Sequence, residues 1–421
     1  MFGVPSGRGA RLFAVAAVVD ALGGGLFLPI GALFFVKVAG LPATQVGLGL
    51  SLTGVLGLAG PVLVGPVLDR YTARRVTIWL YVLRGVGYAT YPLVRGFWPF
   101  LAVVAVTGLA DRMARPAIQA LVATLANEED RIATLSFVRA VRNIGYGAGG
   151  LLVSVALAIG GRGPYVALVV GDAATFFVAG GLLTYVRDVH AAPPGAAHGG
   201  YRRVLRDRRF MALTLCNGLL SLHLAVLLIG FPLWIDQRTN APTALAGVVF
   251  TLNSALVVVL QVPFSRGTVT VRDGGRAQWR SGAALAATCL LLAFTPGLAT
   301  TWAVALLLVT GVVEVAAEMW QAAGGWAVSL GLAPPEARGR YLGVWSLGFG
   351  AVNDVVGPAL MAWVVVHGGR YGLAVVAAVA LLAGAASRRL TLGDAEEPLP
   401  QRLDAVEGGV HDGDPAPGQA V

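Results

Sequence analysis

Charged residues are scarce in this chain of 421 residues, and cysteine is almost absent. Only 13% of the residues are Asp, Glu, Lys or Arg, and Lys37 is the single lysine, whereas 56% of the residues are hydrophobic. The two cysteines, Cys216 and Cys289, both lie inside apolar runs, which argues against a disulfide framework and against a thiolate metal site. The composition therefore indicates a membrane protein.

Twelve long apolar runs account for most of the chain. A run of about 20 apolar residues crosses the roughly 30 Å hydrocarbon core as a helix, so a dozen such runs predict an all-α polytopic membrane protein. The first run is too long for a cleaved signal sequence and is interpreted as the first span. The predicted spans are 12–36, 44–67, 76–95, 98–125, 132–160, 164–186, 210–235, 243–264, 278–296, 300–331, 341–366 and 371–390.

The arginines between the runs predict the orientation in the plasma membrane. If the N-terminus is inside, 21 arginines of the loops and termini, between Arg8 and Arg402, face the cytoplasm. The opposite loops then hold only Lys37, Arg95, Arg162, Arg238 and Arg370. Because basic residues are enriched in cytoplasmic loops, both termini are predicted to be cytoplasmic. The basic residues lie at the ends of apolar runs and do not cluster on one amphipathic helix face. The net charge of +9 therefore does not indicate a nucleic-acid partner.

The longest internal loop separates six spans from six. The predicted organisation is an N-terminal six-helix bundle over 1–190, a cytoplasmic linker over 191–208, a C-terminal six-helix bundle over 209–392 and a disordered acidic tail over 393–421. A weak internal repeat at an offset of about 200 residues aligns Gly47 with Gly247. Two similar halves joined by a linker are typical of a transporter whose substrate site lies between them.

The strongest motif lies between the second and third spans. Residues 65–75 read G-P-V-L-D-R-Y-T-A-R-R and resemble the G-x-L-A-D-R-x-G-R-K loop of the major facilitator superfamily, at the position where that family carries it. The matching residues are Gly65, Asp69, Arg70 and Arg74. The glycine is expected to allow close approach of a neighbouring helix. The resemblance implies the major facilitator fold, with twelve transmembrane helices in two pseudo-symmetric six-helix bundles.

In that family, such loops hold the two halves together when the transporter faces outward. Asp69 is therefore expected to meet the start of the eleventh span, around residues 338–341, while Arg70 and Arg74 meet acids of residues 128–130. The alternative is that the arginines of this loop only anchor the topology.

A fainter resemblance lies in the fifth span. Residues 145–150, G-Y-G-A-G-G, are similar to the G-P-x-x-G-G of the proton-coupled antiporters, with Tyr146 in place of the proline. This resemblance implies the drug:proton antiporter branch. The alternative is close helix packing by Gly145 and Gly149.

Ionisable residues inside the spans mark the candidate site. Each costs on the order of 3 kcal/mol at membrane depth unless it has a partner or a wet cavity. The first half holds Asp20, Arg84, Asp111, Arg112, Arg115, Arg139, Arg142 and Asp172. The second half holds Glu314, Glu318 and Asp354.

Helical spacing predicts how some of these charges pair. Asp111 and Arg115 are four residues apart and can pair along the fourth span, while Arg112 points about 100° away. Asp354 of the eleventh span is expected to pair with Arg139 or Arg142, which share a face of the fifth span.

The resemblance implies that spans one, four, seven and ten line a central cavity. The candidates for substrate binding and proton coupling are Asp20, Arg112, Glu314, Glu318, Asn217, His223 and Trp320. Glu314 and Glu318 share a helix face, and two carboxylates so close favour proton binding by one of them near neutral pH. Asp20 is the second candidate for the proton, and Arg112 would change its partner as the proton moves. The alternative is that Asp20, Asp111 and Asp172 simply neutralise arginines.

These observations predict a proton-coupled exporter of small amphipathic or drug-like molecules that works by alternating access as a monomer. The alternative is proton-linked or facilitated uptake of a metabolite such as an organic anion, a sugar or a peptide. A P-loop is absent from the sequence, which argues against ATP as the driving force. Neither H-E-x-x-H nor G-x-S-x-G occurs, so no catalytic residue, metal site or cofactor is predicted.

Overall fold

The computed structural model describes residues 8–125, 128–187, 202–334 and 337–393, and all regular elements within these ranges are helical. The described helices form twelve rods, here called spans 1 to 12, which run alternately between two ends of the molecule. We call the end that holds residues 8 and 390 the terminal end, and the other the far end.

The first six spans alternate from Arg8 to Thr184. They are span 1 (Arg8–Phe27 and Gly31–Lys37), span 2 (Ala43–Gly57 and Gly60–Arg70), span 3 (Ala73–Thr90), span 4 (Phe97–Leu125), span 5 (Glu128–Ile159) and span 6 (Arg162–Thr184).

A short helix, Arg202–Arg206, precedes the second six spans. They are span 7 (Arg208–Leu220, Leu222–Ala225, Val226–Gly230 and Phe231–Arg238), span 8 (Leu245–Ser265), span 9 (Val271–Ala293), span 10 (Thr300–Leu332), span 11 (Arg338–Gly350, Ala351–Val356, Gly357–Trp363 and Val364–Gly368) and span 12 (Gly369–Leu390).

Hydropathy separates these rods into two kinds. Within the described residues, six helical stretches are long and apolar enough to cross a membrane, or eight if each bent rod counts as one span. One of the six, Arg338–Leu390, contains both spans 11 and 12, which reverse direction at Gly369, where φ is 52° and favours glycine. Span 8 has a shorter apolar stretch, and spans 3 and 9 carry arginines at their terminal ends. The predicted all-α polytopic fold is confirmed.

Spans 1, 2 and 9 differ in shape or in starting point from the predicted runs. Spans 1 and 2 are not single straight runs, because they bend by 46° after Phe27 and by 44° after Gly57. Span 9 begins at Val271 instead of residue 278. Thr270 caps this helix by accepting a hydrogen bond from the Asp273 amide at 3.1 Å, while the Asp273 carboxylate accepts from the Thr270 amide. This reciprocal cap makes the arginine-bearing turns before residue 278 helical.

The internal repeat places two glycines at equivalent seams between the halves. Gly47 of span 2 packs on span 11, and a methyl group in its place would lie 2.6 Å from the Pro358 carbonyl oxygen. Gly247 of span 8 packs on span 5, where a methyl group would lie 2.6 Å from the Gly150 carbonyl oxygen. Each half therefore uses its repeated glycine to bring a backbone of the other half close.

The described contacts between the halves lie at the far end and in the middle of the molecule. At the far end, Lys37 and Asp236 form an ion pair of 2.8 Å between spans 1 and 7. Towards the middle, the Ala359 amide donates to Ser51 Oγ at 2.9 Å between spans 11 and 2. The terminal part of span 2, Gly60–Arg70, is largely exposed and packs mainly on span 4. The halves are thus joined at the far end and diverge towards the terminal end.

Candidate functional site

Arg84 of span 3 organises the charges of the first half. Its guanidinium lies 3.3 Å from Asp20 of span 1 and forms a second ion pair with Asp111 of span 4. It also stacks over Phe176 of span 6, with 4.0 Å to the ring centroid. The predicted pair between Asp111 and Arg115 is therefore wrong, because Asp111 turns to a guanidinium on a neighbouring helix instead of one on its own.

Asp172 of span 6 belongs to the same region but has no direct ion pair among the described residues. Its side chain is only 1% exposed, and its Oδ1 atom has no hydrogen-bond partner there. Thr175 donates to the Asp172 backbone carbonyl at 2.7 Å, not to the carboxylate. The first half thus places three carboxylates near one arginine.

A second charged pair joins the two halves. Arg112 of span 4 forms an ion pair with Asp354 of span 11, and Asn353 donates to the other carboxylate oxygen at 2.9 Å. Arg142, the expected partner of Asp354, donates instead to the Tyr146 hydroxyl at 2.7 Å. The pairing of Asp354 with Arg142 is therefore wrong, and the side chain of Arg139 lies outside the described residues.

A cavity of about 220 Å³ adjoins the Arg112–Asp354 pair between spans 2, 4, 7 and 11. Its polar lining is supplied by that pair, Asn353 and Thr53. Its apolar lining is supplied by Leu50, Leu224, Ala225, Leu228, Ile229 and Pro358, beside Gly54 and Gly108. One charged edge and an otherwise apolar wall suit a small amphipathic molecule.

The carboxylate of Glu314 is the centre of a separate cluster in the second half. Glu314 of span 10 is fully buried, and its two oxygens lie 3.0 Å from His223 Nδ1 and 2.8 Å from Asn253 Nδ2. The same amide of Asn253 donates to Glu318 at 3.0 Å. Glu314 forms no ion pair with an arginine or a lysine among the described residues. An ionised Glu314 would therefore be stabilised only by these hydrogen bonds.

Three amide side chains form a second buried layer next to this cluster. Asn217 of span 7 accepts hydrogen bonds from Gln278 of span 9 at 3.2 Å and from Gln321 of span 10 at 2.9 Å. Asn217 and Gln278 are at most 1% exposed. Asn217 was predicted as a site residue, but the two glutamines and Asn253 were not. Their signal in the sequence is a lone amide inside an apolar run, which is costly unless it is paired.

The residues predicted to line one cavity wall thus lie in three separate clusters. Asp20 lies with Arg84, Arg112 lies with Asp354, and Glu314 lies with His223 in the second half. Trp320 does not join them. It is two residues after Glu318, about 200° around the helix, and its ring packs against Phe264 at 5.0 Å.

His223, Glu314 and Glu318 offer one nitrogen and two carboxylate oxygens within 4.8 Å of one another. Donors of these kinds also occur in metal sites, which the sequence did not predict. Both oxygens of Glu314 are already hydrogen-bonded, and one of the partner atoms is the Asn253 amide nitrogen, which does not ligate a cation. The geometry therefore favours a hydrogen-bonded cluster.

The loop of residues 65–75 differs from the prediction at Gly65 and Asp69, whereas the expected acidic partners at 128–130 have side chains outside the described residues. A methyl group at Gly65 would have no atom within 4 Å, so the expected close approach of a neighbouring helix is wrong for this structure. Asp69 and Arg70 are exposed, and Asp69 forms no ion pair with a described residue. Arg74 donates to the carbonyls of Thr184 and Val186, which fastens span 3 to the end of span 6.

The glycines of residues 145–150 serve helix packing. Gly145 and Gly149 face span 1, where a methyl group on Gly149 would meet the backbone of Gly25. Gly150 faces span 8, and the neighbouring Gly147 carbonyl accepts from Thr251 at 3.1 Å. The packing alternative therefore accounts for these positions, because span 5 touches both its own half and the other one.

Comparison with known proteins agrees with this architecture. The family model described as Major Facilitator Superfamily matches residues 13–321 and 213–409. This chain belongs to the major facilitator superfamily. A curated relative from Aeromonas hydrophila subsp. hydrophila, named Multidrug resistance protein MdtH, is 28% identical over 379 residues, covering 86% of this chain and 89% of the relative. A relative of the same name from Yersinia pestis is 25% identical over 248 residues, covering 58% of this chain and 60% of the relative.

Solved structures of the superfamily share the fold. An auto-inhibited POT family peptide transporter superposes with a TM-score of 0.75 at 14% identity, covering 94% of this chain and 99% of the other. The nucleoside transporter NupG gives a TM-score of 0.72 at 14% identity, covering 92% and 100% of the two chains. Its membership of the superfamily, shown by the family model, makes this chain a multi-pass membrane transporter of small molecules.

Proposed function

We propose that the chain is a proton-coupled exporter of small amphipathic or drug-like molecules. The observation that carries this proposal is Glu314, a carboxylate with no exposed surface, no arginine or lysine partner among the described residues, and a direct contact with His223. In a buried site without a cationic partner, the ionised carboxylate is costly and the protonated carboxyl is not. Such a group can take up a proton and release it when its surroundings change, which is what coupling to a proton gradient requires. The relatives named for multidrug resistance support the substrate class.

The packing of the halves supports an alternating-access cycle. If both termini are cytoplasmic, as the arginine distribution predicts, the terminal end faces the cytoplasm and this conformation is inward-facing. The inter-half cavity beside Arg112 then receives substrate from the cytoplasmic side, and the Lys37–Asp236 pair closes the path to the outside. We propose that the protein works in this way as a monomer in the plasma membrane.

Transport by reconstituted protein tests the proposal. Proteoliposomes loaded with a fluorescent amphipathic dye and given a pH gradient should move dye uphill, and an uncoupler should abolish this movement. Glu314→Gln should abolish uphill movement while retaining downhill exchange, because the binding pathway persists without the proton carrier. Glu318→Gln tests the second carboxylate, and Glu396→Gln in the acidic tail is the matched control. Uphill transport that survives both membrane substitutions would contradict the proposal.

A further inference from the structure

Arg115 is a cation inside the membrane that has no bonded partner among the described residues. Arg115 of span 4 lies ten residues before Leu125, the last residue of that span, which places it about 15 Å inside the helix. Arg115 is exposed, and its guanidinium forms no hydrogen bond or ion pair with any described residue. An unpaired charge at this depth is costly unless water or a ligand reaches it.

Helix geometry places Arg115 beside the transport cavity. Gly108 and Arg112 both line that cavity. Arg115 follows them at seven and three residues, spacings that put all three on the same face of span 4. Each step of three residues also advances about 4.5 Å towards the terminal end, where the halves diverge. Arg115 therefore lies at the open mouth of the cavity.

The charges around Arg115 leave room for one more anion. Within the part of the chain that the structure describes, the charged neighbours that act on its guanidinium are Arg112, Asp354, Arg142 and Asp111. Both of these acids are already paired with other arginines, Asp354 with Arg112 and Asp111 with Arg84. Arg142 donates a hydrogen bond to the Tyr146 hydroxyl and forms no ion pair with a described residue. Among the described residues, neither Arg115 nor Arg142 therefore has a carboxylate bonded to its guanidinium.

We propose that Arg115 is the anion subsite of the transport cavity and that the transported molecules include amphipathic organic acids. The carboxylate of such an acid would accept hydrogen bonds from the Arg115 guanidinium. Its apolar part would lie against Leu224, Leu228 and Ile229 in the 220 Å³ cavity. This inference deepens the proposed function by naming the substrate class, and it requires small-molecule transport but not proton coupling.

Binding of three naphthalene compounds tests the proposal. The probes are 2-naphthylacetate, its neutral amide 2-naphthylacetamide and the cation 2-(2-naphthyl)ethylammonium, which share one ring system and differ in charge. Binding is measured by equilibrium dialysis against the protein in nanodiscs, with empty nanodiscs to subtract partition into lipid. Since a hydrogen bond to a charged group is worth about 1.5–3 kcal/mol, the wild-type protein should bind the carboxylate roughly tenfold or more tightly than the amide.

Arg115→Gln should remove this preference without weakening the binding of the amide, and Arg115→Lys should retain most of it. Arg162→Gln is the control for the loss of one positive charge, because Arg162 donates to the Pro92 carbonyl at the far end. Equal affinity of the wild-type protein for carboxylate and amide, tighter binding of the cation, or a preference that persists in Arg115→Gln would overturn the inference.

Measuring both binding and uphill transport on Glu314→Gln and Arg115→Gln separates this inference from the proposed function. If Glu314→Gln keeps both the carboxylate preference and uphill transport, the proton-carrier assignment fails and the anion subsite stands. If it loses only uphill transport while Arg115→Gln leaves the preference intact, the proposed function stands and the anion subsite fails.

Discussion

Lys37 and Asp236 form an ion pair of 2.8 Å that joins the far ends of spans 1 and 7, one from each half of the transporter. Lys37 is the only lysine of the chain, and the Asp236 side chain is only 8% exposed. The pair lies at the end where the halves meet and away from the end where they diverge. It must separate whenever the far end opens, so it favours the conformation described here.

Loss of this pair should shift the protein towards opening at the far end. A half-exposed ion pair contributes about 1 kcal/mol, so Lys37→Gln or Asp236→Asn should raise the open population roughly fivefold. Double electron–electron resonance between spin labels on the far ends of spans 1 and 7 measures this change. The charge exchange Lys37→Asp with Asp236→Lys should restore the original distance distribution. Unchanged distances in both single variants would show that the pair does not hold this end closed.

Two glycines of span 2 should respond differently to the same substitution. A methyl group at Gly54 would clash with the Asp354 carbonyl of span 11, whereas one at Gly65 would meet nothing within 4 Å. Gly54→Ala should therefore destabilise the protein by about 1–3 kcal/mol, the usual range for overpacking, and Gly65→Ala should leave its thermal stability unchanged. Thermal unfolding in one detergent compares the two variants. Equal losses of stability would contradict the close contact between spans 2 and 11.

The sequence predicted the fold better than it predicted the pairing of charges. Apolar runs identify the spans, and the repeated Gly47 and Gly247 do lie at equivalent seams. The pairing of charges depends on how each helix is rotated relative to its neighbours. The periodicity of one helix carries no information about that rotation. Asp111 illustrates this limit, because it has Arg115 on its own helix but pairs with Arg84 on the next one.

The set of site residues predicted from the sequence was incomplete for a related physical reason. Most residues predicted for the site are ionisable, whereas Asn253 bonds to both Glu314 and Glu318 through an uncharged amide. Gln278 and Gln321 were missed for the same reason, since each is recognised as a site residue only from its hydrogen bond to Asn217 on another helix. A polar side chain on one span identifies a site only after the partner on another span is known.

Arg84 should be required for the stability of the first half. Its guanidinium pairs with Asp20 and Asp111 and lies over the ring of Phe176. Arg84→Met would leave these carboxylates without their cation, and breaking a buried pair from one side costs about 3–5 kcal/mol. We expect loss of monodisperse protein on size-exclusion chromatography. Adding Asp20→Asn and Asp111→Asn to Arg84→Met should recover much of it, and no recovery would mean that Arg84 acts through packing alone.

Arg112 and Asp354 should be coupled in a double-mutant cycle. Each is the partner of the other across the two halves, so Arg112→Gln or Asp354→Asn alone leaves one charge uncompensated beside the cavity. Each single variant should lose about 3 kcal/mol of stability, and the double variant should lose less than the sum of the two, because neither charge then remains. Thermal unfolding of the four proteins measures the coupling. Arg162→Gln with Asp354→Asn is the control, and its effects should add because Arg162 lies at the far end, bonded to Pro92. Additive losses for Arg112 and Asp354 would mean that the pair does not connect the halves, and the cavity would then lose its charged edge.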